Sequence, residues 1–74
     1  MKIVFPEHAK RKLKEMNITS RQAIKIIKVP DFTSENNGRV EARRQVDGKI
    51  IALTYTIQGN EIKVASLEEK SSFY

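Results

Sequence analysis

Two short turn signals, Asp47-Gly48 and Gly59-Asn60, constrain this chain more than any other feature. Each is flanked by alternating apolar and polar residues, the pattern of a hairpin whose loop length sets the register. A two-residue loop at Asp47-Gly48 pairs Val46 with Lys49, Arg44 with Ile51, Ala42 with Leu53 and Val40 with Tyr55. A two-residue loop at Gly59-Asn60 pairs Ile57 with Ile62, Tyr55 with Val64 and Leu53 with Ser66. The two registers agree on Leu53 and Tyr55, and a slip of one residue in either hairpin would break that agreement. One sheet face is therefore expected to carry Val40, Ala42, Ile51, Leu53, Tyr55, Ile57, Ile62 and Val64. The other is expected to carry Glu41, Arg43, Gln45, Thr54, Thr56, Lys63 and Ala65, with an apolar patch of Ile50, Ala52 and Leu67.

An apolar sheet face needs a cover, and the first thirty residues supply one. The run KIVF over residues 2–5 reads as a short strand ended by Pro6, which also suits the first turn of a helix. Ala9, Leu13 and Met16 recur at helical spacing and predict a helix over residues 6–16. Thr19 followed three residues on by Gln22 matches a capping box and opens a second helix over 20–28. Ala23, Ile24 and Ile27 should face its core side, with Ile26 beside them. Pro30 stops the helix, and DFTSENNG reads as a loop. The expected fold is one α+β domain over residues 1–74, in the order β-α-α-β-β-β, with two helices packed on one face of an antiparallel sheet.

Composition narrows the chemistry. A chain of 74 residues buries only about 60% of its unfolded surface, so its core is thin. It has no cysteine and one histidine, which rules out disulfides, a thiol nucleophile and a conventional zinc site. No metal or other cofactor is expected. No apolar run reaches the roughly 18 residues that span a bilayer, and residues 1–8 are too short for a signal-peptide core. A soluble, cytoplasmic protein is expected, with no membrane partner and the monomer favoured.

The net charge is +5 and unevenly spread. Residues 1–30 hold eight basic and two acidic residues, and residues 31–74 hold six basic and seven acidic. The cationic field belongs to the helical half and suits a polyanion, with RNA or a ribosomal surface as the expected partner. Lys10, Lys14, Lys25, Lys28 and Lys63 are the phosphate-binding candidates. Arg11 is discounted, because Glu7, Arg11 and Glu15 at spacings of four form an ion-pair ladder. His8 and Lys12 share a helix face. A neutral imidazole beside cations could take a proton from a ribose hydroxyl. The plainer reading is a first-turn polar residue bonded to backbone or water. Arg43 points to the open sheet face, where a phosphate could reach it. Arg44 falls on the apolar face, so it either snorkels out at the sheet end or sits at a bulge. Phe73 and Tyr74 could stack on a base or cover the sheet.

The chain also resembles a family of small bacterial and archaeal domains, of uncharacterised function and often associated with toxin systems. Their pattern is a short strand, H-A-x-x-R-x-x-x-R-x-I, a Ser or Thr cap, a second helix ending near proline, and three strands. His8, Ala9, Ile18, Thr19 and Pro30 match it; the two family arginines fall on Lys12, which keeps the charge, and Met16, which does not. The family's topology is similar to that of the RelE-like toxins, which cleave RNA without a metal. The resemblance implies a RelE-like fold, RNA or ribosome binding, and endoribonuclease activity with His8, Lys12 and Arg43 as catalytic candidates. An antitoxin-like protein would be a partner. The alternative is a non-catalytic protein- or RNA-interaction module.

Overall fold

The computed structural model describes residues 1–72. Two helices and five strands follow in the order β1 (Lys2–Val4), α1 (Glu7–Glu15), α2 (Ser20–Lys28), β2 (Phe32–Asn36), β3 (Arg39–Val46), β4 (Lys49–Gln58) and β5 (Glu61–Lys70). The strands form a single sheet in the order β1-β5-β4-β3-β2. The fold is α+β as expected, with one strand more than the four read from the sequence. The segment taken as a loop contains β2, an antiparallel neighbour of β3. Its turn, Asn37-Gly38, has positive φ at both residues, as does Asp47-Gly48. That is the backbone of a tight hairpin turn matched to the twist of its strands. Nor is the sheet wholly antiparallel, because β1 pairs in parallel with β5. A parallel pair needs a long crossover, and everything from α1 to β4 supplies it.

The β3–β4 register is the expected one throughout, from Val46↔Lys49 to Val40↔Tyr55. The β4–β5 register begins as expected, with Ile57↔Ile62 and Tyr55↔Val64, and then shifts at Thr54/Tyr55. Thr54 pairs with Ser66 and Leu53 with Leu67, so Ala65 is an extra residue with no partner on β4. A bulge of this kind reverses the facing of every residue beyond it. Leu67, expected on the open face, is therefore buried in the core at 4% exposure. Ile57, expected in the core, is half exposed near the end of its strand.

Both helices pack on the apolar face. Ala9 and Leu13 of α1 and Ala23, Ile26 and Ile27 of α2 join Ala42, Ile51, Leu53, Tyr55, Ile62, Val64 and Leu67 in one core. In α2, Ile26 is fully buried and Ile24 only partly, the reverse of the expected pair. The largest fully buried side chains are Ile26, Ile51, Leu53 and Val64. Each contributes about 1.5–3 kcal/mol relative to exposure.

The helix ends are well specified. Thr19 Oγ1 accepts from Gln22 N at 3.1 Å while Thr19 N donates to Gln22 Oε1 at 2.9 Å, completing the capping box. At the end of α1, Ile18 N donates to Leu13 O and Asn17 N to Lys14 O, with Asn17 at φ 58°. This is a Schellman closure with asparagine in the left-handed position, and Ile18 and Leu13 supply its apolar contact. Asn17→Val should cost about 1–2 kcal/mol, lowering Tm by roughly 4–8 °C for each kcal/mol. Asn17→Gly should hold or raise Tm. Thermal melts that rank the valine variant level with the glycine variant would show that this cap does not hold the turn.

Candidate functional site

β1 ends at Val4, alongside Lys63 of β5, and the chain turns through Phe5 and Pro6 into α1. The first turn of α1 thus arrives beside the bulge. His8 Nε2 donates to the Ala65 carbonyl at 2.9 Å, so the extra residue of β5 is tied to the helix rather than to a strand. A carbonyl oxygen only accepts, so in the neutral ring the proton sits on Nε2. Nδ1 is left as a lone-pair acceptor with no partner among the described residues.

His8 lines a pocket of about 310 Å³ together with Arg39, Thr56, Gln58, Lys63, Val64 and Ala65. The register explains this assembly. Arg39 pairs with Thr56 and Thr56 with Lys63, so the three stand in one row across β3, β4 and β5. No acidic residue lines the pocket. Arg39 and Lys63 make no ion pair among the described residues. Two cations, a hydroxyl, an amide and an imidazole acceptor thus converge on one concave surface.

The other candidates lie elsewhere. Lys12 is absent from the pocket lining and pairs with Glu15 at 3.9 Å. Lys10 pairs with Glu7 at 4.0 Å. The expected Glu7–Arg11–Glu15 ladder is replaced by these pairs at spacings of three, and Arg11 makes no ion pair among the described residues. Lys14, Lys25 and Lys28 are exposed on the helices and make no ion pair among the described residues. Arg43 does lie on the open face, but it is engaged. It donates to Glu41 through Nε and Nη2 at 3.2 and 3.0 Å, and to the Ser72 carbonyl through Nη1 at 2.9 Å. With its side chain 15% exposed, it anchors the C-terminal segment rather than offering a free guanidinium. Phe73 and Tyr74 lie outside the described residues.

Arg44 reaches out from the apolar face to donate to the Val29 carbonyl at the end of α2, with Asp31 at 4.0 Å. It snorkels, as one of its two sequence readings held. Arg44 also lines a second pocket of about 220 Å³ with Gln22, Lys25, Gln45, Val46 and Asp47. That pocket holds a carboxylate and a cation already committed to a helix end, and so suits an anion less well. Among the described residues no group of three His, Cys, Asp or Glu could hold a metal. No described helix is long and apolar enough to cross a membrane.

Arg39 is the residue that sequence reasoning missed. Its signal was present, because the hairpin register puts it two positions before Glu41 on the open face and opposite Thr56. No protein-family model, no curated protein sequence and no solved structure matches this chain.

The geometry separates holding residues from site residues. Arg43→Ala should cost about 1.5–3 kcal/mol through lost charged hydrogen bonds. Lys63→Ala should change stability by less than about 0.5 kcal/mol. Denaturant titrations of both variants check this, and equal losses would contradict it.

Proposed function

We propose that this chain is a small basic domain that binds RNA or a ribosomal surface. The observation that carries the reading is the acid-free pocket with Arg39 and Lys63 unpaired among the described residues. Exposed cations without carboxylate partners are open to an anion, and a phosphodiester is such an anion. The exposed Lys14, Lys25 and Lys28 add a field that draws a polyanion towards the domain. The order β-α-α ahead of a hairpin sheet supports the RelE-like reading of the fold, here with an added edge strand.

The same pocket supports metal-independent cleavage. His8 Nδ1 would accept the proton of a ribose 2′-hydroxyl as its oxygen attacks the adjacent phosphorus. Arg39 and Lys63 would stabilise the charge that builds on the phosphoryl oxygens. The bond to the 5′-oxygen breaks, and that oxygen takes a proton from water or from the Lys63 ammonium. The products would be a 2′,3′-cyclic phosphate and a 5′-hydroxyl. Lys63 keeps the phosphate-binding role expected of it, and Arg39 joins it in place of Lys12 and Arg43, which lie outside the pocket lining.

A second reading, a non-catalytic protein- or RNA-interaction module, is favoured by a different observation. β2 is the last strand of the sheet, and its residues Thr33 to Asn36 are exposed. Its outer edge is a template for an added strand from a partner such as an antitoxin-like protein.

Binding to a single-stranded RNA oligomer, followed by fluorescence anisotropy, tests the main reading. If about four phosphates are neutralised, log K should fall with log salt at a slope of about −3. Affinity should then drop about 50-fold between roughly 50 and 200 mM salt. Joint charge reversal of Arg39 and Lys63 should weaken binding at least about tenfold. A flat salt response would remove the phosphate-binding reading. Incubation of RNA with chelator present tests cleavage, since a 5′-hydroxyl product that disappears with His8→Ala is expected for a metal-independent nuclease.

A further inference from the structure

The bulge fixes more than the position of His8. Ala65 is surplus to the β4–β5 ladder, and its carbonyl holds the Nε2 proton of His8 at 2.9 Å. In the neutral ring this leaves Nδ1 as an acceptor. Arg39 and Lys63 only donate, and a phosphate satisfies them. Nδ1 has the opposite requirement: it needs a hydrogen-bond donor on the ligand. Along a polynucleotide backbone the phosphates bring none, and the sugar brings one only when it carries a 2′-hydroxyl. Resting on the RNA-binding reading above, we infer that His8 is the residue by which this chain distinguishes RNA from DNA. The Ala65 carbonyl is its positioning group, holding the imidazole in the accepting tautomer.

The bulge makes this separable from general polyanion binding. Val64 already pairs with Tyr55 and Ser66 with Thr54. Deleting Ala65 closes the ladder without changing any other pair or turning Val64 or Leu67 out of the core. It removes the acceptor of the Nε2 proton together with one small residue of the pocket lining, and leaves Arg39 and Lys63 in their row. His8 is exposed, so His8→Ala leaves the core intact as well.

The experiment measures anisotropy with three uridine 12-mers that differ only at the 2′ position: hydroxyl, hydrogen and fluorine. The 2′-fluoro sugar keeps the RNA-like pucker and a small substituent but cannot donate. Oligomer integrity is checked on denaturing gels, and the fold of each variant by circular dichroism. Wild type should bind the ribo-oligomer about fivefold more tightly than either of the others, the size of one net hydrogen bond. His8→Ala and the Ala65 deletion should each bring the three affinities within about twofold. Lys63→Ala should weaken all three together.

Equal binding of the ribo and fluoro oligomers would overturn the inference in favour of sugar shape. Equal binding of the ribo and deoxy oligomers would overturn it while leaving charge-driven binding intact. No binding to any of the three would remove the RNA reading itself. A preference that survives the Ala65 deletion would overturn the positioning role. Nitrogen-resolved NMR of the His8 ring in the wild-type chain provides an arm that needs no variant. The neutral ring should carry its proton on Nε2, and a proton on Nδ1 would overturn the assignment.

Discussion

One irregularity in the β4–β5 ladder organises this molecule. If Ala65 were paired with Thr54 instead of standing out of the ladder, an unbroken period of two would send Leu67 to the open face and leave the far end of the core unfilled. With it, Leu67 comes under the helices, and a backbone carbonyl is released at the point where β1 has ended and α1 begins. A freed carbonyl needs a donor, and His8 supplies one. Packing at one end and the candidate chemistry at the other follow from the same local departure.

The helices are held against the sheet largely by small and branched residues. Ala9, Ala23 and Ala42 are all fully buried, so the helix backbones come close to the strands. No buried polar or charged residue interrupts the core among the described residues. Charge lies on the outer helix faces, on the open sheet face and at the rim of the apolar face, where Arg44 reaches out to the end of α2. On the open face Glu41 is paired with Arg43 and Glu68 with Lys70, and the cations Arg39 and Lys63 stand at one end of it.

Much of this was readable from the residues, and the failures have physical causes. The Asp47-Gly48 turn set a register that holds to the end of β3, because both strands alternate strictly. The register from Gly59-Asn60 held only to Val64, because Ile62, Val64 and Leu67 are spaced by two and then three. That change of period is the mark of a bulge, but Ala65 and Ser66 suit either face and so do not reveal its position. β2 was missed because Thr-Ser-Glu-Asn carries no apolar alternation; as an edge strand it has almost nothing to bury. The Asn37-Gly38 pair was a turn signal equal to the others and should have outweighed composition. His8 was identified as a candidate, but its partner was not, since residues 8 and 65 meet only through the pairing of the first strand with the last. Lys12 is four residues from His8 on the helix and pairs with Glu15, whereas the row across three strands brings Arg39 and Lys63 into the lining of the His8 pocket.

The pairing of Lys2 with Glu61 also bears on how the molecule is made. A chain emerges from synthesis with its N-terminus first, so β1 and α1 are complete long before their neighbour in the sheet exists. The hairpins of β2, β3 and β4 are local and close on their own, whereas the first strand must wait unpaired until the last one is translated. The contact between His8 and Ala65 belongs to that final closure. A chain that ends before Lys63 thus lacks the His8 pocket altogether, because one wall of it is the strand made last.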